Sequence, residues 1–203
     1  MVLLLISFFC LETGTTEKLT CQAWNLLQNC SELYVRTKQH AVLEWLPSSV
    51  EVKSFDNLMD GSEALDAACE QIVSQVLELG QREEGEIYAV PGHPFVSEAT
   101  CPEIARRASQ IGIPVQIIDG LSFIEPIFSA IGANHLQQLT IMDAIEFSQR
   151  HAPLFPPHMP VLITHVHSTS VAEKVKRNLR VLYPDNHPVK LVHRSEERRV
   201  GKE

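Results

Sequence analysis

Glu86-Ile-Tyr-Ala-Val90 runs into Pro91-Gly92-His93-Pro94, and further on Val115-Gln-Ile-Ile118 runs into Asp119-Gly120-Leu121-Ser122. Both runs are short, apolar and stopped by a turn sequence, the pattern of strands buried within a sheet. Between them, Ser97 to Ile111 opens on Ser-Glu and stops at Gly112, so a helix is expected. Strand, helix, strand with short connections implies parallel strands joined by a crossover, the repeating unit of an α/β fold.

The same alternation extends in both directions. Towards the N-terminus, Ser62 to Gln81 carries Leu65, Ala68, Cys69, Ile72, Val73, Val76, Leu77 and Leu79 on one helical face, with Ser62 in cap position. Glu32 to Arg36 reads as a strand, and Ala41 to Leu46 as a short helix closed by Pro47. A helix through Leu19 to Leu27 has Thr16 or Thr20 as its N-cap. The apolar run Met1 to Cys10 is read as a buried first strand. It is shorter than the roughly 20 residues that span a bilayer, and it lacks the basic flank of a signal peptide. Towards the C-terminus follow a helix at Ser122 to Ile131 ended by Gly132, and a strand at Leu139 to Met142. A proline-rich link, Pro153 to Pro160, leads to a strand at Val161 to Val166, a helix at Ser170 to Leu182 and a strand at Val189 to His193. The expected division is a first α/β lobe over 1–117 and a second over 118–193. Residues 194–203 abandon periodicity and become abruptly charged, so they are read as a non-native tail, with the natural chain continuing past His193.

With 203 residues, 44% hydrophobic and 21% charged, the composition is that of a globular chain. A net charge of -8 argues against nucleic acid as a partner, because a phosphate backbone needs a concentrated basic surface. Cysteines at 10, 21, 30, 69 and 101 are odd in number and form no CxxC pair, which points to a reducing cytoplasm and to neither disulfides nor a zinc knuckle. Neither a P-loop, a G-x-G-x-x-G fingerprint nor a G-x-S-x-G turn occurs. His165 and His167 would share one face of a strand, but no nearby Cys, Asp or Glu completes a tetrad, so no metal is expected.

Open α/β sheets bind ligands at the carboxyl ends of their strands, where helix N-termini point outward. Pro91 to Pro94 and Asp119 to Ser122 both stand there. Gly92 permits close backbone approach and His93 adds a titratable ring, while Gly120 permits a turn and Ser122 caps the next helix. Asp143-Ala144 and Thr164 to His167 are two further strand ends. Taken alone these loops are weak signals that read first as plain tight connections, since glycine and proline punctuate turns everywhere.

In order, Leu19-Thr20 before an Ala-Trp helix, Glu32-Leu-Tyr-Val-Arg-Thr37, Tyr88-Ala-Val-Pro-Gly-His-Pro94, Gly120-Leu-Ser-Phe-Ile-Glu-Pro126 and Tyr183-Pro-Asp-Asn-His-Pro-Val189 resemble one arrangement. It is similar to the tetrapyrrole (corrin/porphyrin) methylase domain at the N-terminus of MazG-type nucleotide pyrophosphohydrolases of the YabN kind. The resemblance implies an α/β fold of two lobes, a parallel-sheet first lobe and an incomplete mixed-sheet second lobe. It implies S-adenosylmethionine between them, contacted by Gly14, Pro91, Gly92, His93, Val96, Gly120, Ser122, Phe123, His165 and Val166. It further implies a homodimer, a cytoplasmic setting away from membranes, and methyl transfer to a tetrapyrrole-like or unidentified small molecule. The sulfonium is already activated, so no catalytic acid or base is assigned. Cys10-Leu11-Glu12-Thr13-Gly14 stands where the family carries Gly-x-Gly-Pro-Gly, which favours a second expectation. That alternative is a catalytically silent ligand-binding or regulatory domain of a MazG-type pyrophosphohydrolase, whose Glu-x-x-Glu helices are absent from this sequence.

Overall fold

Alternate side chains of a strand face opposite sides of its sheet. In β1 (Ile6–Cys10), Ile6 and Phe8 therefore face one way and Phe9 the other, and every residue of the strand is buried. A strand this apolar on both faces belongs in the centre of a parallel sheet covered on each side. The computed structural model, which describes residues 5–11, 18–61, 65–132, 138–150 and 153–192, has that architecture. Its contacts divide the chain into two units, Met1–Ile127 and Phe128–Glu203.

The first unit continues with α1 (Cys21–Asn29), β2 (Glu32–Val35), a 3-10 turn (Ala41–Trp45), β3 (Glu51–Ser54), α2 (Asp56–Gly61), α3 (Leu65–Leu79), β4 (Glu86–Val90), α4 (Thr100–Gln110) and β5 (Val115–Ile118). After β5, α5 (Ile124–Ile131) runs across the division. The five strands are parallel in the order β3-β2-β4-β1-β5. Cys10 pairs with Val90 and Phe9 with Ile118, so the carboxyl ends of β4, β1 and β5 lie side by side. The chain leaves β1 towards one edge, returns to β4 and crosses to β5, which makes the end of β1 a topological switch point. Ile117 and Ile118, on either side of the division drawn from the sequence, are neighbours within β5.

One face of the sheet buries Ile6, Phe8, Tyr88 and Val90 under Ile72, Val73 and Val76 of α3 and Ile104 and Ala108 of α4. Tyr88 packs edge-on to Phe8 and Phe55, with ring centroids 6.3 and 5.7 Å apart. The other face buries Phe9, Leu11, Leu33, Val35 and Ala89 under Ala23 and Leu27 of α1 and Val42 of the 3-10 turn. Each such Phe or Leu contributes roughly 1.5–3 kcal/mol of burial. Thr20 caps α1, its Oγ1 accepting from the Ala23 N–H at 3.2 Å; the rival cap Thr16 lies outside the described residues, as do Ser62, Gly14 and 193–203.

The second unit contains β6 (Thr140–Asp143), α6 (Ala144–Gln149), β7 (Val161–Thr164) and α7 (Thr169–Leu179). β6 and β7 pair in parallel, and Ala144, Phe147, Phe155 and Val175 form the core beneath them. Asn178 Nδ2 donates to the carbonyls of Phe147 and Arg150 at 2.9 and 2.8 Å, covering the end of α6.

Three expectations are corrected. The strand expected at Val189 to His193 does not form over its described residues, where Val189 and Leu191 are exposed and no strand among the described residues lies alongside to complete a ladder. The helix expected from Ser97 begins at Thr100, because Ser97 takes a left-handed conformation with φ 55°. Finally, β7 stops at Thr164 because His165 is also left-handed, φ 58°. His165 and His167 are therefore not an alternate pair on a strand; instead the His167 N–H donates to the His165 carbonyl at 2.9 Å. Among the described residues, no helix is long and apolar enough to cross a membrane.

Candidate functional site at the strand ends

At the carboxyl edge of the first sheet, two loops leave β4 and β5 on either side of β1. Gly92 has φ +77°, a conformation that strains any side chain, and nothing stands within 4 Å of where a Cβ would be. Backbone at this corner therefore borders open space. Gly120 has a different reason to be glycine: an added Cβ would lie 2.4 Å from Cys10 Cβ and 2.7 Å from its Sγ. The Cys10 thiol donates to the Leu121 carbonyl at 3.3 Å, so Cys10 fills the space that Gly120 leaves.

The two loops meet. His93 Nδ1 accepts from the Phe95 N–H at 3.0 Å, so in the neutral ring the proton sits on Nε2, which faces Asp119 Oδ1 at 3.4 Å. The Asp119 side chain is 84% exposed, so this contact sets geometry and adds little stability. Thr20 Oγ1 donates to the Asp119 carbonyl at 3.3 Å, tying the start of α1 to the same corner. Phe95 and Leu121 expose large apolar surfaces within the two loops.

Ser122 opens α5 through a reciprocal cap. Its Oγ accepts from the Ile124 N–H at 3.1 Å, while Glu125 Oε2 accepts from the Ser122 N–H and hydroxyl at 2.8 and 2.6 Å. The Ser122 side chain is buried in that arrangement, and Phe123 beside it is half-buried. Of the residues expected from the sequence, Pro91, Gly92, His93, Val96, Gly120, Ser122 and Phe123 thus fall on these two adjoining loops. Gly14 lies outside the described residues.

A polar chain that sequence reasoning missed underlies the first loop. Glu98, bent inward after Ser97, accepts from Arg36 Nη1 at 2.5 Å and from the Thr100 N–H and hydroxyl at 2.9 and 2.6 Å. The Thr100 hydroxyl proton is committed to Glu98, so Tyr88 OH donates to Thr100 Oγ1 at 3.1 Å. Burial raises the Tyr88 phenol well above its ordinary range, which keeps it a donor. Arg36 and Glu98 are 62 positions apart, and one sequence offers no signal that pairs them.

His165 and Val166 form the strand-end corner of the second unit. His165 Nδ1 meets Asp143 Oδ2 at 2.6 Å, and Asp143 Oδ1 accepts from the N–H groups of Ile145 and Glu146 at 2.8 and 3.1 Å. Burial pushes the Asp143 carboxyl up, but His165 and the two N–H groups prevail and hold it below its usual value. Val166 is exposed.

A profile described as Tetrapyrrole (Corrin/Porphyrin) Methylases matches residues 13–195. The chain is 30% identical over 183 residues to an uncharacterized protein, YabN, of Bacillus subtilis (strain 168), covering 90% of this chain. It spans 37% of that relative's length. Among solved structures, uroporphyrin-III-C-methyltransferase from Thermus thermophilus superposes with a TM-score of 0.64 at 16% identity, covering 91% of this chain and 74% of that one. A cobalt precorrin-4 methyltransferase of cobalamin biosynthesis gives 0.62 at 14% identity, covering 91% and 77%. The Thermus enzyme complexed with S-adenyl homocysteine gives 0.59 at 13% identity, covering 90% and 78%. At these identities the likeness establishes the fold.

Proposed function

This chain belongs to the tetrapyrrole (corrin/porphyrin) methylase family, and we propose that it is an S-adenosylmethionine-dependent methyltransferase domain acting on a tetrapyrrole-like small molecule. The observation that carries this reading is the meeting of the Gly92 and Gly120 loops through His93 and Asp119 at the switch point of the sheet. The residues fit the cofactor there. Open backbone at Gly92, apolar surfaces from Phe95 and Leu121, and the exposed Asp119 carboxylate suit a ligand that combines a nucleoside with a sulfonium cation. A related fold is known with S-adenyl homocysteine bound. When bound, the cofactor supplies an activated methyl group. The protein's part is to align acceptor and methyl and to exclude water. His93, with its Nδ1 already holding the Phe95 N–H, acts as a hydrogen-bond donor rather than a base. The reading includes a homodimer in the cytoplasm, the latter supported by five free cysteines.

One observation favours a second reading. Cys10 occupies the space beside Gly120 where the family's first glycine would leave room. A domain altered in this way could serve a MazG-type nucleoside triphosphate pyrophosphohydrolase as a silent binding or regulatory module. Titration calorimetry with S-adenosylhomocysteine separates the two. The methyltransferase reading expects micromolar binding that Gly92→Trp abolishes and Gly112→Trp preserves. Gly112 shares the positive φ and open surroundings but lies before β5, at the far end of the strands. No heat from folded wild-type protein would rule the methyltransferase reading out.

A further inference from the structure

The geometry points to Arg36 as a carboxylate-binding residue at this sheet edge, an inference that rests on the cofactor and acceptor reading above. Arg36 follows directly on β2, and its backbone N–H donates to the Ala89 carbonyl of β4 at 3.0 Å. Its backbone is therefore pinned beside the carboxyl end of β4, and its guanidinium reaches Glu98, which follows the Pro91 to Ser97 loop. Nη1 donates to Glu98 Oε2, and the Glu98 side chain is only 3% exposed. Glu98's other oxygen is committed to Thr100, which in turn takes the Tyr88 proton.

A guanidinium carries five N–H donors in a rigid planar fork. Arg36 directs one of them to Glu98, and among the described residues the other four have no protein acceptor. Glu98's second oxygen is taken by the Thr100 N–H and hydroxyl, so the pair cannot become bidentate and the rest of the fork is left for another acceptor. Here a buried carboxylate fixes the cation without saturating it, and Arg36 keeps 29% of its side-chain surface open. Of the groups on the proposed cofactor and acceptor, a carboxylate matches the free donors. β2 lies three strands from β5, about 14 Å at ordinary strand spacing. The carboxylate belongs either to the cofactor's amino-acid end or to the acceptor.

The test is calorimetry on wild-type and Arg36→Gln protein with three probes. S-adenosylhomocysteine carries the amino-acid carboxylate, 5′-methylthioadenosine keeps the nucleoside and thioether without it, and citrate stands in for a polycarboxylate acceptor. Arg36→Gln should weaken S-adenosylhomocysteine or citrate by about tenfold or more and leave methylthioadenosine unchanged. Loss confined to S-adenosylhomocysteine assigns the cofactor's carboxylate; loss confined to citrate assigns the acceptor's. Arg36→Lys should recover part of the affinity. If neither carboxylate probe distinguishes Arg36→Gln from wild type, or neither binds wild type, the inference falls. Citrate binding through Arg36 without any S-adenosylhomocysteine binding would sink the methyltransferase reading alone. Should Arg36→Gln fail to fold, phenylglyoxal labelling of wild-type protein decides. The carboxylate ligand slows modification at Arg36 but not at the exposed Arg106, and equal rates at Arg36 with and without ligand overturn the assignment.

Discussion

Cys10 and Gly120 form a pair in which each residue explains the other. A Cβ on Gly120 would overlap Cys10 Cβ at 2.4 Å, and strand β1 leaves Cys10 no room to retreat. Gly120→Ala should therefore destabilise the protein by about 1–3 kcal/mol, the usual cost of overpacking. Adding Cys10→Gly should recover most of that loss, giving strong coupling in a double-mutant cycle followed by urea denaturation. Additive effects would mean that the corner relaxes in some other way. Tyr88 offers a second check at the same scale. Its ring stays useful in Tyr88→Phe, but Thr100 Oγ1 loses its donor, so stability should fall by about 0.5–1.5 kcal/mol. No change in urea midpoint would argue against that buried chain.

The amino ends of the strands carry a charge cluster with a predictable pH response. Arg82 is shared between Glu32 and Glu86 at 2.6 and 2.7 Å, and Lys53 holds Glu32 at 2.5 Å. Burial pushes Glu86, the first residue of β4, up to about 8 from 4.5 even though Arg82 pulls it down. A carboxyl raised on folding favours the folded state most when protonated. Its contribution is complete below pH 4.5 and drains away as pH rises towards 8. Urea midpoints should therefore fall across that interval in wild type and fall less in Glu86→Gln; parallel profiles would contradict the shift. The elements themselves were largely legible in the sequence, because β1, β4 and β5 are short, mostly apolar runs and α3 keeps a helical stripe. β3 was not, since Glu51-Val-Lys-Ser54 has one apolar residue and pairs only at the sheet's edge. α6 escaped for a similar reason: six residues give too little periodicity, and its stability comes from the Asp143 cap and from Asn178. The start of α4 was misread because Ser97-Glu98 has the composition of a helix opening, whereas φ at Ser97 is decided by the pull of Glu98 towards Arg36 and Thr100.

At the scale of the molecule, the sheet order brings together loops that stand 28 positions apart, counted from Gly92 to Gly120. Their position as strand-end glycine turns was readable in the sequence, but their contact was not. It depends on β1 inserting between β4 and β5, a topological fact with no local trace. The central claim is that these two loops together receive the cofactor. Hydrogen–deuterium exchange with and without saturating S-adenosylhomocysteine tests it most directly. Slowed exchange at the amides of Gly92 to Val96 and of Gly120 to Phe123 is the predicted result. Saturating ligand that leaves both segments exchanging at their free rates would contradict it.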